Sequence, residues 1–528
     1  MEVSDFRDCA AAFPEAVHES IAEHLLQHIR QRRRQEDICF ALWHPSRGSE
    51  RLSCVIYQPL LPVEGDRILA GNVNFNEQYF RRALTEALNQ KAGLAVLHSH
   101  LGPGWQDLSP DDHASESSFG GRVLAATKHP LVGLTIGTDE SWSGRLWLRE
   151  QRAFEPRWCS DIRVVGQRLR MSYHPKLRPV PRFTERLTRT VGVWGSKGQA
   201  DLARLQVAVV GLGSVGSIIA EELARLGIEN VTFIDFDVIE ALNLDRVLNA
   251  SEESVGELKV EVAAAAFRKH SNAAHPQVRK VDASVAEEAG YSAVLNANVI
   301  FSCVDRHLPR RVLNHVAYAH CIPVIDGGIL VRLRKQRLIG ADWHVRTVAP
   351  DRRCLECVGA YDPSVVGMEQ EGLLDDPSYL AQLDQDDVLL RHENVFPFST
   401  SVAAFEILQL AALLLGPIHN LGDQNYHFVT GALDKQQDRG CDARCLFPPL
   451  IGSCDSRVRP VITDIAAEKA RAARVKVQTN PGRDGTFPSF PVAEHSAPGR
   501  SASPQRLKPG LKQASYRSGE PLRHPKTE

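Results

Sequence analysis

Two groups of side chains in this sequence have the types and spacing to do chemistry. His98-Ser99-His100 follows the apolar run Leu94-Ala95-Val96-Leu97. Side chains two apart on a strand point to the same side, so both imidazoles can address one point. A carboxylate follows in Ser109-Pro110-Asp111-Asp112. Three nitrogen or oxygen ligands with a fourth position open form the donor set of catalytic zinc. The second group is Gly211-Leu212-Gly213-Ser214-Val215-Gly216, set between the apolar run at 207–210 and a helical pattern at 215–226. Gly211, Gly213 and Gly216 allow a tight turn and close backbone approach, and the helix that follows aims amides at phosphate. Asp235 closes the next apolar run, and by itself this pattern also fits an NAD-dependent dehydrogenase.

The rest of the chain must position these groups. At 528 residues it is too long for one core, so two domains of ordinary size with connecting segments are expected. Short apolar runs at 38–43 and 52–57, a helix at 76–90 and the strand that delivers His98 are followed by strand-like runs at 131–136 and 144–148. Together they make an α+β domain over residues 1–158. A proline-bearing basic stretch, 159–181, reads as a linker. The non-alternating run Val207-Ala208-Val209-Val210, the glycine turn, a helix and the buried run 231–235 then form a βαβ unit. That unit predicts a mainly parallel, Rossmann-like sheet within a domain at 182–471, with further strands at 299–304 and 323–325 and a helix at 401–415. Residues 472–528 lose apolar periodicity and become rich in Pro, Ser, Gly, Arg and Lys, the composition of a disordered tail.

Composition narrows the partners. With 62 basic and 64 acidic side chains the net charge is −2, which gives no electrostatic argument for nucleic acid or an anionic membrane. No uninterrupted apolar run reaches spanning length, and no basic-then-apolar leader opens the sequence, so a cytoplasmic setting is expected. Of eleven cysteines, only Cys354/Cys357 and Cys441/Cys445 form close pairs, which favours metal over disulfides. Cys303 and Cys321 lie in apolar contexts, and no cysteine has the basic, exposed setting of a nucleophile.

The run His98-x-His100, then Ser109 and Asp112, resembles the signature of the JAB/JAMM (MPN) metalloproteases. The resemblance implies zinc on His98, His100 and Asp112, with Ser109 stabilising a tetrahedral oxyanion. It also implies Glu36, just before the strand at 38–43, as general base toward water at the zinc. Eight residues separate His100 from Ser109 where the family has seven, which leaves Asp111 and Asp112 both open as the third ligand.

The stretch from Asp235-Phe236-Asp237 through Asn243-Leu244-Asp245-Arg246 to Gly256-Glu257-Leu258-Lys259 is similar to the ThiF/MoeB and ubiquitin-activating-enzyme superfamily. So are Glu185-Arg186-Leu187-Thr188-Arg189 and Gly198-Gln199 upstream, and Phe301-Ser302-Cys303-Val304-Asp305 downstream. The likeness implies that Asp235, with Asp237 beside it, binds the ATP ribose. It places Asn243, Arg246 and Lys259 at the phosphates, Mg²⁺ on Asp305, and Arg189 in the site of a second subunit of a homodimer. Cys354, Cys357, Cys441 and Cys445 resemble the superfamily's structural zinc site, although the second pair has three intervening residues and Cys454 is an alternative ligand. Arg246, Lys259, Arg189 and a metal would neutralise a triphosphate attacked by a carboxylate, a requirement that a dehydrogenase does not have.

The expected function is therefore bifunctional. Zinc hydrolysis of a peptide or isopeptide bond at the C-terminus of a ubiquitin-like or small carrier protein would be joined to ATP-Mg²⁺ adenylation of its terminal glycine, with a conjugating enzyme as a further partner. The alternatives are adenylation within a sulfur-transfer pathway and a first domain that only binds the carrier.

Overall fold

The computed structural model describes residues 5–479 except 71, 152, 335–336, 384–393, 417–420 and 437–439. The tail expected beyond residue 479 lies outside the described residues. Two large sheets organise what is described, and residues 1–475 pack as one unit.

The first sheet has nine strands, in the spatial order Leu169–Tyr173, Asp161–Val165, Asp8–Pro14, Arg51–Leu60, Ile38–Arg47, Gly93–Ser99, Leu131–Ile136, Trp142–Glu150 and Ala153–Trp158. Gly93–Ser99 is buried along its whole length and pairs antiparallel with Ile38–Arg47, which puts Ile38 opposite His98. Helices Glu15–Arg30, Glu77–Asn89 and Pro110–Thr127 cover the sheet, and two apolar clusters fill the space. Helix Glu77–Asn89 starts where the Asn76 side chain accepts the amide of Tyr79, and Tyr79, Phe80, Ala83 and Ala87 form its buried stripe.

The second sheet has eight strands, in the order Gln277–Val281, Asn230–Ile234, Gln206–Val210, Val299–Ser302, Val324–Arg334, Arg337–Val348, Asp423–His427 and Ala432–Gln436. Its first five are parallel and the rest form an antiparallel meander. From Gln206–Val210 the chain winds outward in one direction, then returns to place Val299–Ser302 on the other side. The crevice at this reversal, beyond the carboxyl ends of the strands, is where doubly wound sheets bind ligands. Helix Ser214–Leu226 leaves the glycine turn and stops at Gly227, whose φ of 77° is left-handed. Helix Phe396–Leu415 is long and apolar enough to span a bilayer by composition. Val402, Ala403, Leu410 and Leu413 are nevertheless buried against the rest of the second domain.

Two domain boundaries differ from the sequence reading. Residues 159–181 are not simply a linker, because Asp161–Val165 and Leu169–Tyr173 complete the first sheet. Their partner Asp8–Pro14 is a small-residue strand with no alternation to reveal it. Helix Ile465–Thr479 runs past the start of the expected tail at 472. Arg471 pairs with Glu287 and Arg474 with Asp282, and such ionic anchoring leaves no trace in apolar periodicity.

The first sheet rests against the amino edge of the second. Gln206 Nε2 donates to Asp8 at 3.2 Å and Asn298 Nδ2 to Asp161 at 3.1 Å. Arg51 pairs with Asp161 in a fully buried bridge, and Arg163 Nε donates to the Cys321 carbonyl at 2.9 Å. The carboxyl edge with its glycine turn therefore faces away from the first domain.

Candidate functional sites

Three side chains converge at the end of Gly93–Ser99. His98 Nε2 and His100 Nε2 lie 3.1 Å apart, His100 Nε2 lies 3.2 Å from Asp112 Oδ2, and His98 Nε2 lies 3.6 Å from Asp112 Oδ1. Zinc–nitrogen and zinc–oxygen bonds of about 2.0–2.1 Å give a tetrahedron with edges of about 3.3 Å, so the spacing of this trio fits the ion. The choice left open between Asp111 and Asp112 falls to Asp112, since Asp111 is exposed and outside the cluster. The eight-residue loop is accommodated by its own bonds. Gln106 Nε2 ties the carbonyls of Gly102, Pro103 and Gly104, and Gly104 N donates to Asp139 at 2.9 Å.

Burial pushes His98 down to about 3, with the Arg145 charge adding to it, which keeps this imidazole neutral as a ligand must be. His100 is raised: burial works against its proton, but the bond to Asp112 and the charges of Asp112 and Glu36 outweigh it. Asp112 is held below the ordinary carboxylate range, against its burial, by His100, His98 and Ser109. Glu36 is raised by burial and by the Asp112 charge, partly offset by His100, which places its carboxylate within the field of the trio. Ser109 caps helix Pro110–Thr127, accepting the Asp112 amide and donating Oγ to Asp112 Oδ2 at 2.6 Å.

Several supporting residues escaped the sequence reading. Glu116 lies 3.8 Å from His98 Nδ1 and is itself held by Arg145 Nε at 2.8 Å and Trp147 Nε1 at 2.6 Å. The Ser109-x-x-Asp112 capping box was the one available signal for the helix that carries it. Asp37, fully buried among Arg67, His24 and His28, is clipped to Ser99 by two hydrogen bonds, which fixes the segment bearing Glu36 beside His100.

At the carboxyl edge of the second sheet, Gly211 turns with a φ of 86°, and a Cβ there would meet the Cys303 carbonyl at 2.5 Å. A Cβ on Gly216 would meet the Gly211 carbonyl at 1.9 Å, so both glycines are required by close packing. Asp235 accepts the amides of Leu212 at 2.6 Å and Asp237 at 2.8 Å. Its carboxyl is raised by burial, partly offset by Lys259. Lys259 Nζ sits 2.8 Å from Asp237 Oδ2. Its ammonium is raised in spite of burial by the charges of Asp235, Asp237 and Asp305. Leu212 of the turn and Lys259 line one small cavity with Ile239 and Val247.

Arg246 donates to the Leu242 carbonyl at 2.6 Å and to Asp245 at 2.9 Å. The Asn243 amide oxygen accepts the Glu240 amide at 3.1 Å. Arg189 is exposed on helix Thr188–Ala203. Asn394, which sequence reasoning missed, donates to Ser214 Oγ at the head of the turn helix at 2.9 Å.

The four paired cysteines also meet. All the sulfur atoms lie within 4.8 Å of one another, and Cys354 and Cys445 are 3.6 Å apart, close to the tetrahedral edge of about 3.8 Å set by zinc–sulfur bonds. The amides of Cys354 and Cys357 donate to Cys441 and Cys354 sulfurs at 3.2 and 3.3 Å. Cys454 is no alternative ligand, because it is buried in the core with its thiol on the Ala319 carbonyl. Cys303 is pushed well up by burial and by Glu406, which leaves it a poor nucleophile.

The glycine turn at a switch point, with an aspartate closing the neighbouring strand and a lysine between carboxylates, is the arrangement of a doubly wound parallel-sheet domain. Residues 185–436 of the chain match the ThiF family and form a ThiF-family domain. Molybdopterin-synthase adenylyltransferase of Salmonella typhimurium is 31% identical over 159 residues, 30% of this chain and 61% of that protein. The SAMP-activating enzyme E1 of Haloferax volcanii is 30% identical over 164 residues, 31% of this chain and 57% of that protein. Mouse adenylyltransferase and sulfurtransferase MOCS3 is 31% identical over 140 residues, 26% and 29% of the two chains. The chain thus spans less than two thirds of the length of each of these relatives. Escherichia coli MccB with ATP superimposes at a TM-score of 0.38 with 18% identity, over 50% of this chain and 74% of that one.

Proposed function

We propose that the ThiF-family domain adenylates the C-terminal carboxylate of a ubiquitin-like or sulfur-carrier protein with ATP. The first domain, in this reading, hydrolyses a peptide or isopeptide bond at that same C-terminus. The observation that carries the first half is the gathering of Lys259, Asp235, Asp237 and Asp305 around the carboxyl edge beside the glycine turn. The adenylyltransferases and the activating enzyme among the relatives support it.

Adenylation joins a carboxylate oxygen to the α-phosphorus while the bond to the pyrophosphate oxygen breaks. Both reactants are anionic, so the site must supply fixed positive charge and alignment. Lys259 is an ammonium already desolvated beside the turn, and Arg246 lies on the adjoining 242–246 segment. The amides at the head of helix Ser214–Leu226 face the phosphate position. Mg²⁺ held by Asp305 would add charge neutralisation on the leaving phosphates. Arg189, exposed on one copy, would serve the site of a second copy in a homodimer.

In the first domain His98, His100 and Asp112 would hold zinc, which supplies a Lewis acid and acidified water when bound. Glu36, with a carboxyl raised by burial and kept in place by the Asp37–Ser99 clip, is suited to take up a proton and pass it to the leaving amine. Ser109 Oγ gives its one proton to Asp112 and would turn that proton toward an oxyanion once a metal takes the carboxylate oxygen. The four-cysteine cluster would hold a second, structural zinc.

ATP–pyrophosphate exchange driven by small proteins ending in glycine tests the adenylation reading on wild type and Asp305→Ala. Exchange that depends on the carrier and is lost in the variant is expected. Exchange absent with every carrier, or unchanged by the substitution, would contradict it. Chelator-sensitive cleavage of a C-terminally extended carrier, lost in His98→Ala, is expected of the hydrolase half, and its absence would leave the first domain a binding module.

A further inference from the structure

We propose that helix Ile465–Thr479, the last among the described residues, forms a wall of the nucleotide site, and that Arg474 is a positioning residue for the segment that receives the adenosine. The helix lies beyond the part of the chain that matches the ThiF family. Arg474 Nη1 donates to the Phe236 carbonyl at 2.6 Å, and Nη2 grips both Asp282 oxygens at 3.0 and 2.8 Å. Phe236 stands between Asp235 and Asp237. Asp282 follows Val281, whose carbonyl accepts the Asp235 amide at 3.2 Å. One guanidinium therefore ties together the carboxyl ends of two adjacent strands, Asn230–Ile234 and Gln277–Val281, at the edge where the nucleotide is expected.

The rest of the helix is anchored on both flanks of that edge. Asp464 caps its start and accepts the Ser284 hydroxyl, while Ile462 N donates to the Ala286 carbonyl at 2.9 Å. Arg471 Nη1 reaches Glu287 at 3.0 Å. On the other flank, Ile465 packs against Gly372, and Lys469 donates to the carbonyl of Asp375. The Asp375 carboxylate pairs with Arg306, the residue after Asp305. The helix thus bridges the neighbours of Asp235 and of Asp305.

Two consequences follow for a polyanionic ligand. Arg474 fixes the backbone that carries Asp235 and Asp237, and it neutralises Asp282, which would otherwise repel the nucleotide. Its loss weakens nucleotide binding while leaving the phosphate-transfer groups in place. This inference rests on the adenylation reading of the same site.

Calorimetric titration with a non-hydrolysable ATP analogue, together with the KM for ATP in pyrophosphate exchange, compares wild type, Arg474→Ala, Arg474→Lys and Asp282→Asn. Arg474→Ala is expected to raise Kd and KM about tenfold, the scale of one lost charge-assisted contact, with kcat within about twofold of wild type. Arg474→Lys should recover part of the loss. Asp282→Asn loosens the grip on the second strand but also removes the repulsive charge, so its loss of affinity should be smaller than that of Arg474→Ala. Wild-type affinity in Arg474→Ala, or a fall in kcat at unchanged KM, overturns the proposal. A wild-type protein that binds no nucleotide overturns instead the reading on which it stands.

Discussion

Replacing Lys259 with methionine keeps the bulk of the side chain and removes the ammonium that faces Asp235, Asp237 and Asp305. At 2.8 Å and an effective dielectric of about 20, its attraction to Asp237 is about 6 kcal/mol before desolvation is counted. Burial of the ammonium offsets much of that, and the Asp237 side chain is 45% exposed, so water screens the partner left behind. Breaking a fully buried pair costs about 3–5 kcal/mol, and here about 2 kcal/mol of apparent unfolding stability is expected. The effect on function should be larger. Loss of a preorganised cation against a developing charge lowers kcat/KM for pyrophosphate exchange by about 100- to 1000-fold. Chemical denaturation of the nucleotide-free protein reads the first quantity and exchange kinetics the second. Adding Asp237→Asn to Lys259→Met should be less destabilising than the sum of the two changes by about 1 kcal/mol. A variant that unfolds like wild type and exchanges at the wild-type rate would refute the assignment of Lys259 as the charge that holds this site.

Metal analysis of the purified protein should find two zinc ions per chain, falling to one in His98→Ala and to one in Cys357→Ser, and a single ion unaffected by His98→Ala would contradict the first site. Gly216→Ala should abolish soluble expression or nucleotide binding because its Cβ has no room, whereas Gly213→Ala, with nothing within 4 Å of its Cβ, should fold normally; equal behaviour of the two would count against the turn geometry. Asp326 is buried beside Arg310, and its carboxyl is lowered, against burial, chiefly by that charge and by His344. A group depressed in the folded state contributes stability above its unfolded value, near 4, and loses it as pH falls through the folded value. Asp326→Asn should therefore be less stable than wild type at pH 7, with the gap closing below about pH 4, and a gap independent of pH would contradict the pairing.

Much of the site was legible because its residues obey local rules. The strand before His98, the glycine turn and the helix after it are set by apolar runs and by glycines that no other residue can replace. Asp112 could be named but not chosen over Asp111, since only the loop bonds of Gln106 and Gly104 decide how the chain returns. What escaped was non-local or ionic. Asp8–Pro14 becomes a strand by pairing with Arg51–Leu60 on one side and, on the other, with Asp161–Val165, more than a hundred residues away. Glu116, Asp37 and Asn394 act through partners distant in sequence. Helix Ile465–Thr479 was hidden because the ion pairs of Arg471 and Arg474 leave no apolar period to read.

Adenylation of a carrier leaves a covalent product that can be isolated. Wild-type protein is incubated with a glycine-terminated carrier and ATP radiolabelled at the α-phosphate, quenched in acid, and separated to recover the carrier. Label on the carrier from the α-phosphate, none from the γ-phosphate, and none when the terminal glycine is deleted or Lys259 is changed to methionine is the predicted result. A carrier that stays unlabelled while the same protein binds ATP, or label that survives loss of the terminal glycine, would contradict it.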